Sequence, residues 1–166
     1  MSFANRISQT LHEEHRATIA LMERLEQLLA RHRRNAPPVA DDRAVAQLMA
    51  DLSTGVEAEV ERHFAFEEDR LFPYLEANGD QAIGAHLTDE HNAMRPIGTK
   101  LARLARDAAT GFDQINWEEF RRLGLELCDR MLAHVQKEEM ALLPLLEEYM
   151  DAEAEARLYQ EYVENG

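Results

Sequence analysis

The sequence predicts an all-α protein, an up-down-up-down four-helix bundle with a short fifth helix at its carboxyl end. Three observations predict it. Glycine and proline are scarce, and Pro37, Pro38, Gly79 and Gly111 mark three breaks. Between the breaks, apolar residues recur at steps of three and four, the period of a helix with one buried face. And the first half of the chain resembles the second at a fixed spacing.

The breaks are Asn35-Ala36-Pro37-Pro38, Asn78-Gly79-Asp80 and Thr110-Gly111-Phe112-Asp113, composed of residues that favour turns over helix. They leave helices expected over about 4–32, 42–75, 80–108 and 117–148, and a fifth over 151–164, all in one domain covering 1–166. The first helix carries the stripe Ile7, Leu11, Ile19, Met22, Leu25 and Leu29; the second carries Val45, Leu48, Leu52, Val56, Val60 and Leu71. Ile83, Leu87, Met94, Ile97, Leu101 and Leu104 line the third, and Phe120, Leu123, Leu127, Met131 and Leu142 the fourth. Pro96 falls inside the third helix, where a kink is expected because proline lacks the N–H that the helix ladder uses. Asn116 with Glu119 reads as a capping box opening the fourth. Short connections between four such helices favour antiparallel neighbours.

The repeat is specific. His63, Glu67, Glu68, Leu71, Pro73, Leu75 and Glu76 match His134, Glu138, Glu139, Leu142, Pro144, Leu146 and Glu147, each offset by 71. Leu11, Glu14 and His15 match Leu87, Glu90 and His91, each offset by 76. Two similar hairpins imply an approximate two-fold axis, and a site on that axis would have two similar centres.

The apolar stripes are interrupted by polar residues at corresponding heights. His15 follows Leu11 by four and His91 follows Leu87 by four, so both face the core. His63 and Glu67 lie between Val60 and Leu71, and His134 and Glu138 between Met131 and Leu142. At ~1.5 Å of rise per residue the four histidines fall roughly 15–20 Å from the same end of the bundle. Two buried carboxylates must be protonated, paired or bound to cations, since an uncompensated one costs several kcal/mol. Imidazole with carboxylate suits Fe, Zn, Mn or Cu. The i,i+4 spacing of each HxxxE pair sets the histidine and glutamate one turn apart on one face. A polar network without metal is the competing reading, and it requires every member to be satisfied.

Other residues carry less weight. His12-Glu13-Glu14-His15 lacks the i,i+4 histidine spacing of a zinc-protease helix. His12 is expected to be partly exposed beside the site, His86 exposed, and His32 part of the basic helix end Arg31–Arg34. Glu14, Glu68, Glu90 and Glu139 flank the inward residues and are candidates for supporting them, although in so acidic a chain most are expected to be solvated. Cys128 reads as a small buried apolar residue on the fourth helix.

Composition narrows the function classes. The chain has 166 residues, 18 Lys plus Arg against 32 Asp plus Glu, and a net charge of −14. Nucleic-acid binding is not expected of such a surface. No apolar run approaches membrane-spanning length and the start has no signal-peptide core, so a cytoplasmic protein is expected.

The EH pairs of the first and third helices, with HxxxEE and a leucine-proline stretch in the second and fourth, resemble the hemerythrin-like, HHE cation-binding family over residues 8 to 148. The resemblance implies a non-haem di-iron centre in the bundle core, with two iron ions and a bridging oxygen species. By the family's motif the metal ligands would be His15, His63, His91 and His134, bridged by Glu67 and Glu138. Oxygen-carrying members use a fifth histidine, where this chain has Leu87, and an aspartate where it has Glu138. Four histidines and two glutamates look more like the bacterial iron–sulfur repair and nitric-oxide-related branch, without that branch's cysteine-containing amino-terminal segment, and the branch stays open. The implied partner is a small diatomic or peroxide ligand (O2, NO or peroxide) that is bound or reduced. The alternative is an iron store, donor or sensor without turnover.

Overall fold

The computed structural model describes residues 3–39, 42–108 and 111–164, and among them every regular element is helical. Helix α1 is Arg6–Arg31. Helix α2 runs over 43–77, α-helical at Arg43–Ala58, Phe64–Phe66 and Phe72–Ala77 and widened into π turns at Glu59–His63 and Glu67–Leu71. Helix α3 is Ala82–Asp107. Helix α4 runs over 114–149, with a π turn at Glu138–Leu142, and α5 is Ala152–Glu164. Among the described residues no helix is long and apolar enough to cross a membrane.

Short polar side chains start the helices. The first N–H groups of a helix lack intrahelical partners, and Asn5, Asp42, Asp113 and Asp151 accept from Ser8, Ala44, Asn116 and Ala154 at 2.7–2.9 Å. The third of these corrects the expected Asn116–Glu119 box. The turn at Gly111, with φ +103°, delivers Asp113 to the cap position, so α4 begins three residues earlier than expected, and Glu119 instead pairs with Lys100 of α3. Gly79, with φ +98°, closes α2 in a conformation that glycine adopts without steric cost. Pro96 lies inside α3 without ending it.

Two of the π turns obey the repeat, since Glu67–Leu71 and Glu138–Leu142 are 71 apart. Each is followed by a proline, Pro73 or Pro144, whose ring crowds the carbonyl four residues earlier and cannot donate to it. Those carbonyls belong to Asp69 and Met140, inside the two turns, and a wider turn relieves the crowding. The turn at Glu59–His63 has no counterpart in α4, which is α-helical throughout 130–134.

Helix α2 packs on α3, α3 on α4, α4 on α1 and α1 on α2, while α5 lies against α1. The buried apolar residues form two clusters. One gathers Met22, Leu25, Leu52, Phe64, Met94, Trp117, Phe120 and Met131; the other Ile7, Leu11, Leu71, Leu75, Leu87, Leu142, Leu146 and Tyr162. Along α1 the chain passes from the second cluster to the first, along α2 back again, and α3 and α4 repeat the alternation. The changeover falls at His15, between His63 and Leu71, at His91, and between His134 and Leu142. A polar layer therefore separates two apolar halves of the core.

Candidate metal centre

His15, His63, Glu67, His91, His134 and Glu138 meet in that layer, and each is at most 2% exposed. The four histidines share one orientation. Each turns Nε2 towards the centre and donates Nδ1–H outwards to a glutamate on a neighbouring helix. Glu14 of α1 accepts from His63 at 3.0 Å, and Glu68 of α2 from His91 at 2.7 Å. Glu90 of α3 accepts from His134 at 2.8 Å, and Glu139 of α4 from His15 at 3.1 Å. The ring closes on itself: every helix contributes one inward histidine and one glutamate that fixes the histidine of the next. This corrects the expectation that most of these flanking glutamates are solvated. They are only 22–28% exposed, because a buried Nδ1–H needs an acceptor and the residue beside each inward position can supply one.

A further shell anchors the glutamates. Arg95 donates to Glu68 at 2.5 Å, Lys137 pairs with Glu90, His12 with Glu139, and the Tyr162 hydroxyl of α5 donates to Glu14. His12 is thus half-buried beside the site, as expected, and His86 is exposed. Tyr162 escaped sequence reasoning because α5 lies outside the repeat. Removing a carboxylate that fixes a ligating histidine typically costs 10–100-fold in metal affinity. Glu90→Ala and Glu14→Ala are therefore each expected to weaken metal binding by about that factor, measured by competition against a chelator; unchanged affinity would show that the ring has no such role.

At the centre, Glu67 Oε1 lies 3.2 Å from His91 Nε2 and 3.5 Å from His63 Nε2. Glu138 lies 2.5 Å from His134 Nε2, 3.4 Å from His15 Nε2 and 3.7 Å from His63 Nε2. The Nε2 atoms of His91 and His134 are 3.1 Å apart. Two groups of donor atoms result, Glu67/His91/His134/Glu138 and His15/His63/Glu138, each within 4.8 Å of one another and each able to hold an ion. Both oxygens of Glu67, both of Glu138, and Nε2 of His15 and His63 are buried without a hydrogen-bond partner. Native proteins rarely leave such atoms orphaned. Six orphans converging on one space fit a cation site and fit poorly with a self-satisfied polar network.

The family model of the hemerythrin HHE cation-binding domain matches residues 6–146. The chain belongs to that family. No curated protein matches it. The hemerythrin match ends before α5, so Tyr162 reaches Glu14 from beyond the matched segment. It includes Glu59, a buried carboxylate that sequence reasoning also missed, 3.8 Å from His63 Nδ1.

Without metal the centre is electrostatically frustrated. Burial and the nearby Glu138 carboxylate push Glu67 well above its ordinary value of 4.5. Burial pushes Glu138 up too, but close contacts from Glu67, His134, His15 and His63 outweigh it and hold Glu138 well below 4.5. Burial lowers His63 and His134, yet the surrounding carboxylates prevail and raise both above 6.5. Burial and His134 push His91 down to about 4.

These directions fix the pH dependence of the metal-free fold. Raised His63 and His134 contribute stability that is full below 6.5 and lost as pH rises through their folded values. Raised Glu67 acts in the same sense above 4.5, since the folded chain keeps its proton longer than the unfolded one. The contributions of His91 and Glu138 are complete by 6.5 and 4.5. Metal-free protein should therefore lose stability as pH rises above 6.5. Bound metal needs neutral imidazoles and ionised carboxylates, so affinity rises over the same range. The gap in Tm between metal-loaded and metal-free protein should widen from pH 6.5 to 8.5 in calorimetry; a constant gap would contradict these proton inventories.

Proposed function

We propose that this hemerythrin-family protein carries two iron ions in the polar layer and uses them to bind or reduce a small ligand such as O2, NO or peroxide. One ion would be held by His15 and His63, the other by His91 and His134, with Glu67 and Glu138 between them. The observation that carries this reading is the closed ring of glutamates, which keeps a proton on every Nδ1 and frees every Nε2 lone pair for the centre. The alternation of each helix between the two apolar clusters supports an up-down-up-down path, which brings the four histidines to one height.

A bound iron pair supplies open coordination positions and electrons for a small ligand. The chain supplies the enclosure. Phe64 stacks on His91 with ring centroids 3.9 Å apart and planes 9° apart, and Phe72 stacks on it from 5.9 Å. These rings and the apolar clusters above and below enclose the layer in apolar side chains. The outer glutamates fix the imidazoles before any ligand arrives, so little reorganisation is needed.

The test is to load the protein with Fe2+ without oxygen, remove unbound iron, and follow optical spectra as O2, NO or peroxide is added with a reductant. Consumption of one of these over many cycles, with iron retained, is expected. Release of iron to a chelator without repeated consumption would replace this reading with a store, donor or sensor.

A further inference from the structure

We propose that the groove between α1 and α2 is a capture site for a divalent cation on its way to the buried layer, with Glu59 as its inner ligand. This rests on the metal-binding reading above. The groove is a cavity of about 500 Å³ whose lining includes Ala17, Thr18, Ala58, Glu59, Glu14 and His63. It opens to solvent between exposed Ala17 and Ala58 and reaches the outer edge of the His63 imidazole.

Glu59 has no evident structural purpose there. Its side chain is 7% exposed. Oε2 accepts from the Thr18 hydroxyl at 3.2 Å, while Oε1 is buried without a partner. It is not needed to hold His63, whose Nδ1 already donates to Glu14 at 3.0 Å and stands 3.8 Å from Glu59. The other three inward histidines are each fixed by a single glutamate. At the position 71 residues on, the repeat has Arg130, which is exposed and paired with Glu126. The extra carboxylate, and the π turn Glu59–His63 that carries it, thus belong to one half of the molecule.

A buried carboxylate with a free oxygen facing a cavity favours a cation, because the cation supplies the compensation that water otherwise gives. Glu14 adds a second carboxylate to the same wall. Two guanidinium groups lie nearby but are engaged. Arg24 donates to Asp51 at 2.8 Å, and Arg62 stands 4.5 Å over the Tyr162 ring. Hard divalent ions suit such oxygen ligands as a weak first stop, and imidazole nitrogen then competes for a transition metal. From the groove, movement of His63 opens the way to the centre.

Cobalt is the probe, since its visible absorption reports arrival at a histidine-carboxylate site. Metal-free protein and variants are mixed with Co2+ in a stopped-flow instrument, and final content is read by plasma emission. A cleft lined by charge of one sign raises association about 10-fold or more where field focusing operates. Glu59→Gln is expected to slow uptake by about that factor while still reaching two ions per chain. Ala17→Phe, which narrows the mouth without touching a carboxylate, should also slow it, and Glu126→Gln on the other half should not. Wild-type rates in Glu59→Gln, or equal slowing in Glu126→Gln, would overturn the proposal. A wild-type protein that takes up no cobalt would overturn instead the metal-binding reading beneath it.

Discussion

Replacing Glu138 by glutamine should reduce iron content from about two ions per chain to below one, a larger loss than any single histidine substitution causes. Glu138 faces the Nε2 atoms of His134, His15 and His63, so it reaches both groups of donor atoms. Two unit charges ~4 Å apart repel by about 4 kcal/mol at an effective dielectric of 20, and divalent ions by several times that. A carboxylate between the ions offsets this repulsion; an amide carries no charge to do so. His15→Ala removes one nitrogen from one ion and should keep at least one iron per chain. Glu67→Gln, beside His63 and His91 but a member of only one of the two donor groups, should fall between them. Plasma emission on desalted protein gives the order, and iron content of Glu138→Gln equal to that of wild type would remove Glu138 from the site.

The opposite effect is expected in the absence of metal. The double substitution Glu67→Gln with Glu138→Gln should stabilise the metal-free fold at pH 8, because it deletes two buried carboxylates whose charge only a cation fully compensates. Replacing buried ionic groups by well-packed hydrophobic residues of similar volume gains up to about 1–4 kcal/mol, and uncharged amides relieve the same charge burial with a gain within that bound. For a chain of this length that corresponds to a rise in Tm of roughly 2–16 °C. The gain should shrink towards pH 6, because a raised Glu67 takes up its proton more readily as pH falls and protonated His63 and His134 compensate Glu138. Thermal melts of metal-free wild type and double variant at both pH values are the check. A less stable double variant at pH 8 would mean that the carboxylates serve the fold before they serve a metal.

The inward residues were legible in the sequence because burial and charge conflict at those positions. A histidine or glutamate occupying the place of a leucine in a period of three and four has to be explained, and the repeat showed each interruption twice. Glu14, Glu68, Glu90 and Glu139 were half legible. Adjacency to an inward residue marked them, but the angular offset alone does not separate a carboxylate reaching back to an imidazole from one in solvent. Glu59 was illegible: it occurs once, and the π turn that buries it leaves no periodic signature. The other two π turns had a signal in Pro73 and Pro144, which reads as a local crowding only when the helix is known to continue through it. The start of α4 was misplaced because Asn116 and Asp113 are both good caps, and the choice rests on the turn at Gly111.

A crystal grown from iron-loaded protein, measured above and below the iron absorption edge, tests the central claim most directly. Two anomalous peaks should appear in the polar layer, one beside Nε2 of His15 and His63 and the other beside Nε2 of His91 and His134, with Glu67 and Glu138 between them. A layer without iron, or iron bound only at surface carboxylates, would contradict it.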